Sequence, residues 1–106
     1  MKTQEEKNKK TLIKASKEIT EQVWAVRQNK VPHVLYEETI NGQPYVIGAY
    51  KEYGELQTVI AQGTIDQWCW EEEYHDNHQF SKPLNVKKRE LLIDVMYYLN
   101  QVAELV

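Results

Sequence analysis

The chain has 106 residues, a net charge of −3 and an apolar fraction of 42%, values typical of one soluble globular domain rather than a disordered chain. No apolar run approaches the roughly 18 residues of a membrane-spanning helix. No apolar stretch of a signal peptide follows the charged start MKTQEEKNKK. The single Cys69 can form no internal disulfide, as is usual in reducing compartments. We therefore expect one cytoplasmic domain covering residues 1–106, without membrane contact.

Charge is distributed unevenly along the chain. Residues 1–30 hold eight Lys or Arg against four Glu, residues 31–80 hold one Lys against nine acidic residues, and residues 82–106 hold four basic against three acidic residues. The central segment, with a net charge of −8, therefore lies between basic ends. Either the basic helices pack beside this segment and partly cancel its charge, or the segment faces a basic partner.

The first predicted element is an amphipathic helix over residues 11–28. Its apolar residues recur at spacings of three and four, which is the period of a helix with one buried stripe. Because this period starts only at residue 11, residues 1–10 are free to fray. Pro32 prevents the helix from continuing. The predicted buried stripe consists of Leu12, Ala15, Ile19, Val23 and Val26.

A β-hairpin is predicted next, around Asn41 and Gly42. Both residues tolerate the positive φ of a type I′ turn, and a two-residue loop fixes the register so that Tyr36 opposes Ile47. A second turn at residues 52–54 leads to a third strand, which completes an antiparallel meander. The three predicted strands cover residues 34–40, 43–51 and 55–62.

A second helix is predicted from residue 64 to residue 77, because Thr64 followed by Gln67 forms a capping-box signature. A fourth strand over residues 64–70 is the competing prediction, since aromatic residues favour strands.

Residues 80–84 are predicted to form a loop that contains Pro83, and Asn85 is a suitable N-cap for a last helix that reaches the C-terminus. The element order is then α-β-β-β-α-α. We therefore predict an α+β fold of one domain, with a three-stranded antiparallel meander covered by helices on at least one face.

The last predicted helix is unusually apolar. Ile93 and Tyr97, four residues apart, lie on a flank of its apolar stripe that one core contact would not cover. Such a helix is either central to the core or shared with a second copy of the chain. If it is shared, the candidate residues of the dimer interface are Ile93, Tyr97, Leu92 and Leu99.

One metal site is conceivable within a helix that begins at residue 64. Glu71, His75 and His78 would lie at positions i, i+4 and i+7, so that one carboxylate and two imidazoles could meet zinc or iron. The segment is so rich in polar residues that a solvated helix face explains the same triplet. We therefore expect no metal and no cofactor.

Catalytic motifs do not occur in the sequence. It contains no glycine-rich phosphate loop, no HExxH and no GxSxG. His75, six residues after Cys69, would project from a different side of a helix, which leaves only His33 of a strand as a possible base. A small buried thiol is the simpler interpretation of Cys69. We expect a protein that is not an enzyme.

A stripe of lysines on the first helix is the argument for nucleic-acid binding. Glutamates four residues after two of these lysines partly neutralise the stripe. The order α-β-β-β-α resembles that of double-stranded RNA-binding domains, but where those carry lysines after the sheet this chain has DQWCWEEE. Such a run repels phosphates, which argues against direct nucleic-acid binding. The stripe consists of Lys7, Lys10, Lys14 and Lys17.

The acidic segment itself is the other candidate surface. Its carboxylates could pair with the arginines of a nucleic-acid-binding protein, and its aromatic side chains would supply anchors. The candidate partner-binding residues are Asp66, Trp70, Glu71, Glu72, Glu73, Tyr74 and Asp76. With a helix, a β meander and this acidic run, the chain resembles small phage-encoded inhibitors of nucleic-acid enzymes, some anti-CRISPR proteins among them. The resemblance implies a phage or mobile-element protein that inhibits or modulates another protein.

Two functions remain open from the sequence. The favoured one is a non-enzymatic interaction protein that binds a basic, nucleic-acid-handling partner protein through the acidic aromatic surface. The alternative is a homodimeric regulatory or structural protein, assembled through the C-terminal helix, whose basic N-terminal helix contacts nucleic acid.

Overall fold

The computed structural model describes residues 3–67 and 77–106, which form two helices and four strands together with one short 3₁₀ turn. The helices are α1 (Gln4–Arg27) and α2 (Lys88–Ala103). The strands are β1 (His33–Ile40), β2 (Gln43–Glu52), β3 (Glu55–Gln62) and β4 (Asn77–Pro83), and the 3₁₀ turn is Ile65–Gln67. The α+β class is as predicted.

Helix α1 begins seven residues earlier than predicted. The Thr3 side chain caps it by accepting a hydrogen bond of 3.1 Å from the N–H of Glu6. The helix ends at Arg27, and Asn29 then adopts a positive φ of 63°. All five residues of the predicted apolar stripe are buried in the core. Full burial of each Ile or Val contributes about 1.5–3 kcal/mol.

The two hairpins form as the turn residues predict. Asn41 and Gly42 have φ values of 51° and 78°, and Tyr53 and Gly54 repeat the arrangement with 54° and 73°. Positive φ at both central residues gives the turn a twist that matches the strands. The register places Tyr36 opposite Ile47, as predicted, and Ile40 opposite Gln43 beside the turn.

The sheet has four strands in the order β1-β2-β3-β4, all antiparallel, so the predicted three-stranded meander and its element order are wrong. Strand β4 occupies much of the predicted loop at residues 80–84 and pairs with β3, where Phe80 opposes Thr58. Phe80 is the one large apolar residue in NHQFSKP, so no alternation announces the strand. Pro83 is tolerated because it ends an edge strand, where no ladder N–H is needed.

The predicted helix at residues 64–77 is not formed at either of its described ends. Residues 65–67 are a 3₁₀ turn and Asn77 already belongs to β4. The competing strand at residues 64–70 is not formed at residues 64–67 either. The remainder of both predictions lies outside the described residues.

Both helices lie on one face of the sheet, with α1 over β1 and β2 and α2 over β3 and β4. The helices are antiparallel, since Lys88 at the start of α2 forms an ion pair with Glu21 near the end of α1. Helix α2 begins at Lys88 rather than directly after Asn85. The main core lies between the helices and the sheet, and Lys82 of β4 pairs with Asp94 of α2 at 2.7 Å along its border.

Candidate functional site

Most of the predicted partner-binding residues lie outside the part of the chain that the structure describes. Asp66 is the exception: it is exposed in the 3₁₀ turn. The residues outside are Trp70, Glu71, Glu72, Glu73, Tyr74 and Asp76.

The predicted metal triplet required one continuous helix. His78 instead belongs to strand β4, opposite Ile60, so a continuous helix cannot carry the triplet. The other two members, Glu71 and His75, lie outside the described residues.

The acidic segment, residues 66–76, begins and ends beside described residues that lie at the same end of the sheet. At the first end, the N–H of Ile65 donates a hydrogen bond of 2.7 Å to Oε1 of Glu37 on β1. At the second end, Asn77 of β4 belongs to the same cross-strand row as Glu37. That row runs across the four strands through Glu37, Val46, Ala61 and Asn77. The four strands span about 14 Å, so the acidic segment starts and finishes within that width.

The described cations of the strands are confined to one face of the sheet. We call the face turned away from the helices the outer sheet face; the register assigns to it Glu37, Glu52 and Glu55. All three glutamates are exposed. Within residues 3–67 and 77–106, no Lys or Arg of a strand belongs to that face, because Lys51 and Lys82 both pair with Leu56 on the helix side. The other described Lys and Arg residues lie in the helices or next to their ends.

The acidic positions on the outer sheet face form two groups. Glu37 lies beside the 3₁₀ turn, and Glu52 lies six residues along β2 from the row of Glu37, a distance of about 20 Å. Glu52 and Glu55 flank a turn whose Tyr53 is 89% exposed. Burial, reinforced by the charge of Glu52, raises the pKa of Tyr50 beside this turn. The described outer sheet face therefore carries acids near its two ends, with the exposed ring of Tyr53 beside the second group. Between the two groups lie the buried side chains of Val46, Val59 and Ala61.

A second group of carboxyls lies between α1 and β1. Burial raises the pKa of Glu38 to about 7, and a hydrogen bond with Glu18 and the negative charge of Glu18 add to the effect. Burial first, and then these two carboxylates, also raise the pKa of Tyr36. The buried Tyr36 hydroxyl has no hydrogen-bond partner among the described residues. Glu18 and Glu38 line a cavity of about 230 Å³, which Lys14 also lines. The charge of Glu38 therefore changes with pH near neutrality.

Nothing in the described part of the chain completes a metal centre. No group of three or more His, Cys, Asp or Glu side chains within residues 3–67 and 77–106 is arranged to hold an ion. The same residues contain no helix of the length and apolarity that crossing a membrane requires.

The predicted dimer residues divide between the core and the surface. Ile93 and Tyr97 are 56% and 58% exposed on the side of α2 that faces away from the sheet. Leu92 is half-buried, and Leu99 is fully buried in the core, so Leu99 is unavailable to a second copy. Val106, 60% exposed, joins the exposed pair, although it was not among the predicted interface residues. Val106 lies beside Ile93 and Tyr97 because of the fold of the C-terminal turn, and no pattern in the sequence predicts this position.

The lysine stripe of α1 is exposed at all four of its positions, Lys7, Lys10, Lys14 and Lys17. Trp24, near the same side, is half-buried, and the guanidinium of Arg27 lies 5.7 Å from the centre of its ring. Bases could stack only on an aromatic face that is free, so this contact weakens the case for a nucleic-acid surface on α1.

Comparison with known proteins adds no further candidate, because no protein-family model, curated protein or solved structure matches the chain. The assignment of function therefore depends on the surfaces described above.

Proposed function

We propose that the protein is a small non-enzymatic interaction protein that binds a basic, nucleic-acid-handling protein through an acidic aromatic surface. This surface combines the outer sheet face with the segment from Asp66 to Asp76. The observation that carries the proposal is the distribution of charge over the sheet. Exposed glutamates lie near the two ends of the outer sheet face, and both described Lys residues of the strands belong to the opposite face.

A charge distribution of this kind supports binding to a basic partner for two reasons. A surface of one sign steers an oppositely charged protein during association and disfavours partners of the same sign. The absence of Lys and Arg from the described outer face also means that its carboxylates are not neutralised locally. Glu37, Glu52 and Glu55 could therefore pair with arginines of the partner.

The rigidity of the four-stranded sheet also supports the proposal. Glu37 lies on a strand in a four-stranded sheet, and its carboxylate accepts the N–H of Ile65, so the acidic segment starts from a defined point. A binding segment held at both ends by a sheet loses less conformational freedom on association than a free peptide of the same length.

The test compares two variants with the same change of net charge. The first reverses the central acids, with Glu71→Lys, Glu72→Lys and Glu73→Lys. The control reverses three acids in the first turns of the helices, with Glu5→Lys, Glu6→Lys and Glu90→Lys. Each is immobilised, and partners are captured from lysate of the native host and quantified. Melting temperatures measured in parallel show whether each variant remains folded.

We expect the first variant to lose the captured partner and the control to retain it. Double-stranded DNA added to the lysate should compete with the wild-type protein for the same partner, because both would occupy one basic surface. Equal capture by the wild type and the first variant would contradict the proposal. A partner that the control loses equally would show only a dependence on net charge, and would also contradict it.

A further inference from the structure

Strand β1 lies at one edge of the sheet, and half of its backbone hydrogen-bonding groups point away from β2. Ile40 and Gln43 flank a two-residue turn and form a hydrogen-bonded pair, so every second residue of β1 counted back from Ile40 bonds to β2. The N–H and C=O groups of the residues between these point outward, and no described backbone group pairs with them. The outward residues of β1 are His33, Leu35, Glu37 and Thr39.

The two edges of the sheet are protected differently. The same alternation, counted from the second turn, makes Gln79 and Pro83 outward residues of β4, and Pro83 offers no N–H to another strand. Strand β1 contains no proline, glycine or lysine, and its register with β2 runs without a bulge. Such residues and bulges are the usual means of keeping a further strand from an edge. The β1 edge is therefore the one that can accept an added strand.

Two cavities follow β1 on the side of α1. One, of about 430 Å³, is lined by residues 33–36 of the strand, and the other, of about 230 Å³, by residues 38–41. None of the described lining residues belongs to β2, so both cavities lie on the free side of β1. The lining residues of α1 recur at spacings of three and four along one side of the helix; they are Thr11, Lys14, Ala15, Glu18 and Gln22. A strand added to β1 would direct every second side chain toward this side of α1.

The charges beside the edge indicate which strand it accepts. Glu18 and Glu38 line the same cavity, and neither forms an ion pair with Lys14 or with any other described Lys or Arg. Burial, together with the hydrogen bond and charge of Glu18, raises the pKa of Glu38. A Lys or Arg side chain that entered between the two carboxyls would favour their ionised forms and donate charge-assisted hydrogen bonds to them.

A second copy of β1 fits this edge poorly. Two-fold symmetry makes the paired edge strands antiparallel, and outward residues can pair only with outward residues. The two longest registers then place Glu37 opposite either Glu37 or Leu35 of the second copy. In the first register the two glutamates lie directly opposite, and in the second they are diagonal neighbours. Like charges at such positions destabilise strand pairing.

We infer that the free edge of β1 is a peptide-binding site, at which an extended segment of another protein adds to the sheet as a fifth strand and directs Lys or Arg side chains toward Glu18 and Glu38. Backbone hydrogen bonds supply affinity at this edge, and the two carboxyls select basic side chains. The inference goes beyond the proposed function, because it uses neither the outer sheet face nor residues 66–76. Failure of either one therefore leaves the other standing.

The first test uses the capped peptide KVKVKVKV, which has the same length as β1 and alternates basic with apolar side chains. Hydrogen exchange of each amide is measured by NMR on isotope-labelled protein. At saturating peptide, the outward amides of Leu35, Glu37 and Thr39 should exchange at least about tenfold more slowly. The outward amide of Gln79, at the opposite edge, should not change. The acidic peptide EVEVEVEV should protect none of these amides.

Two results of this test would overturn the inference. One is the absence of added protection in β1 at KVKVKVKV concentrations up to about 1 mM, the range of weak peptide binding. The other is protection of the same amides without peptide that increases with protein concentration, because it would show that a second copy occupies the edge.

The second test removes one outward donor. Leu35→Pro deletes an N–H that does not bond to β2, and it should weaken peptide binding at least about fivefold. Leu35→Ala keeps this N–H and should bind more tightly than Leu35→Pro. Gln79→Pro places the same residue at an outward position of β4 and should bind like the wild type. Melting temperatures show whether each variant is folded. Equal binding by folded Leu35→Pro and the wild type would contradict strand addition at β1.

The third test concerns the selection of basic side chains. Glu18→Gln and Glu38→Gln should each weaken binding of KVKVKVKV at least about threefold, because each removes a carboxylate that a lysine would meet. The matched control is Glu5→Gln, with the same change of charge at an exposed position in the first turn of α1; its affinity should not change. A loss of equal size in all three variants would show only a dependence on net charge and would overturn the role of the two carboxyls.

Discussion

The outer sheet face lies on one side of the core, and on the other side lies the helix face, the exposed side of the two helices with Ile93, Tyr97 and Val106. The two faces carry different chemistry. The outer sheet face presents glutamates without Lys or Arg among its described strand residues, and the helix face presents an apolar groove with Lys9, Lys17 and Arg89 around it. Alternation along the strands determines which residues the outer sheet face presents, because each strand residue faces one side of the sheet. The width of the apolar stripe determines what the helix face presents, because residues beyond the core contact remain in water.

The two faces therefore suit different kinds of contact. Charge pairing suits a partner that is met transiently and from a distance. An exposed apolar groove suits a contact that removes apolar surface from water. Each side of this contrast can be tested separately.

The largest expected effect is a difference in unfolding free energy between substitutions on the buried and on the exposed side of α2. Leu99→Ala should lower the free energy of unfolding by about 2–5 kcal/mol, since Leu99 is fully buried and its removal leaves a cavity. Ile93→Ala should lower it by less than about 1 kcal/mol, since Ile93 is 56% exposed. Urea unfolding measures both. Equal losses would show that Ile93 is not exposed in the folded protein.

Salt should weaken partner capture by the outer sheet face. Raising the ionic strength from about 50 mM to about 500 mM should weaken this capture at least about tenfold, because salt screens exposed charges. Quantitative pull-down measures the response. Capture that does not change with ionic strength would contradict the role of charge at this face.

The smallest effect concerns Glu38, between the helix layer and the sheet. Its pKa is raised to about 7 in the folded protein, so the folded state binds the proton more tightly than the unfolded state. The resulting stability is fully present below the ordinary pKa and is lost as the pH rises through about 7. Because Glu38 is only partly buried, the loss between about pH 5 and about pH 8 should remain under about 1 kcal/mol.

Glu38→Gln should remove this part of the pH dependence and stabilise the protein slightly above pH 7. Glu52→Gln, at an exposed position of the outer sheet face, is the matched control and should leave the pH dependence unchanged. Thermal unfolding followed over the same pH range measures both variants. An undiminished slope in Glu38→Gln would show that Glu38 does not titrate near neutral pH.

Elements with local signals could be predicted from the amino-acid sequence. Helix α1 follows from the period of its apolar residues, and the register around Asn41 and Gly42 follows from the φ values that a two-residue turn requires. The same register decides which glutamates belong to the outer sheet face. The acidic positions of that face therefore follow largely from the order of residues along the strands.

Elements that depend on a neighbour in space were decided by tertiary packing. Strand β4 forms because the edge of β3 supplies its hydrogen bonds, and its sequence contains one large apolar residue as the only hint, Phe80. Packing likewise separated Leu99 from Ile93, two residues that belong to one apolar helix pattern. Periodicity shows that a helix has an apolar side, but the extent of that side that remains in water depends on the width of the sheet beneath it.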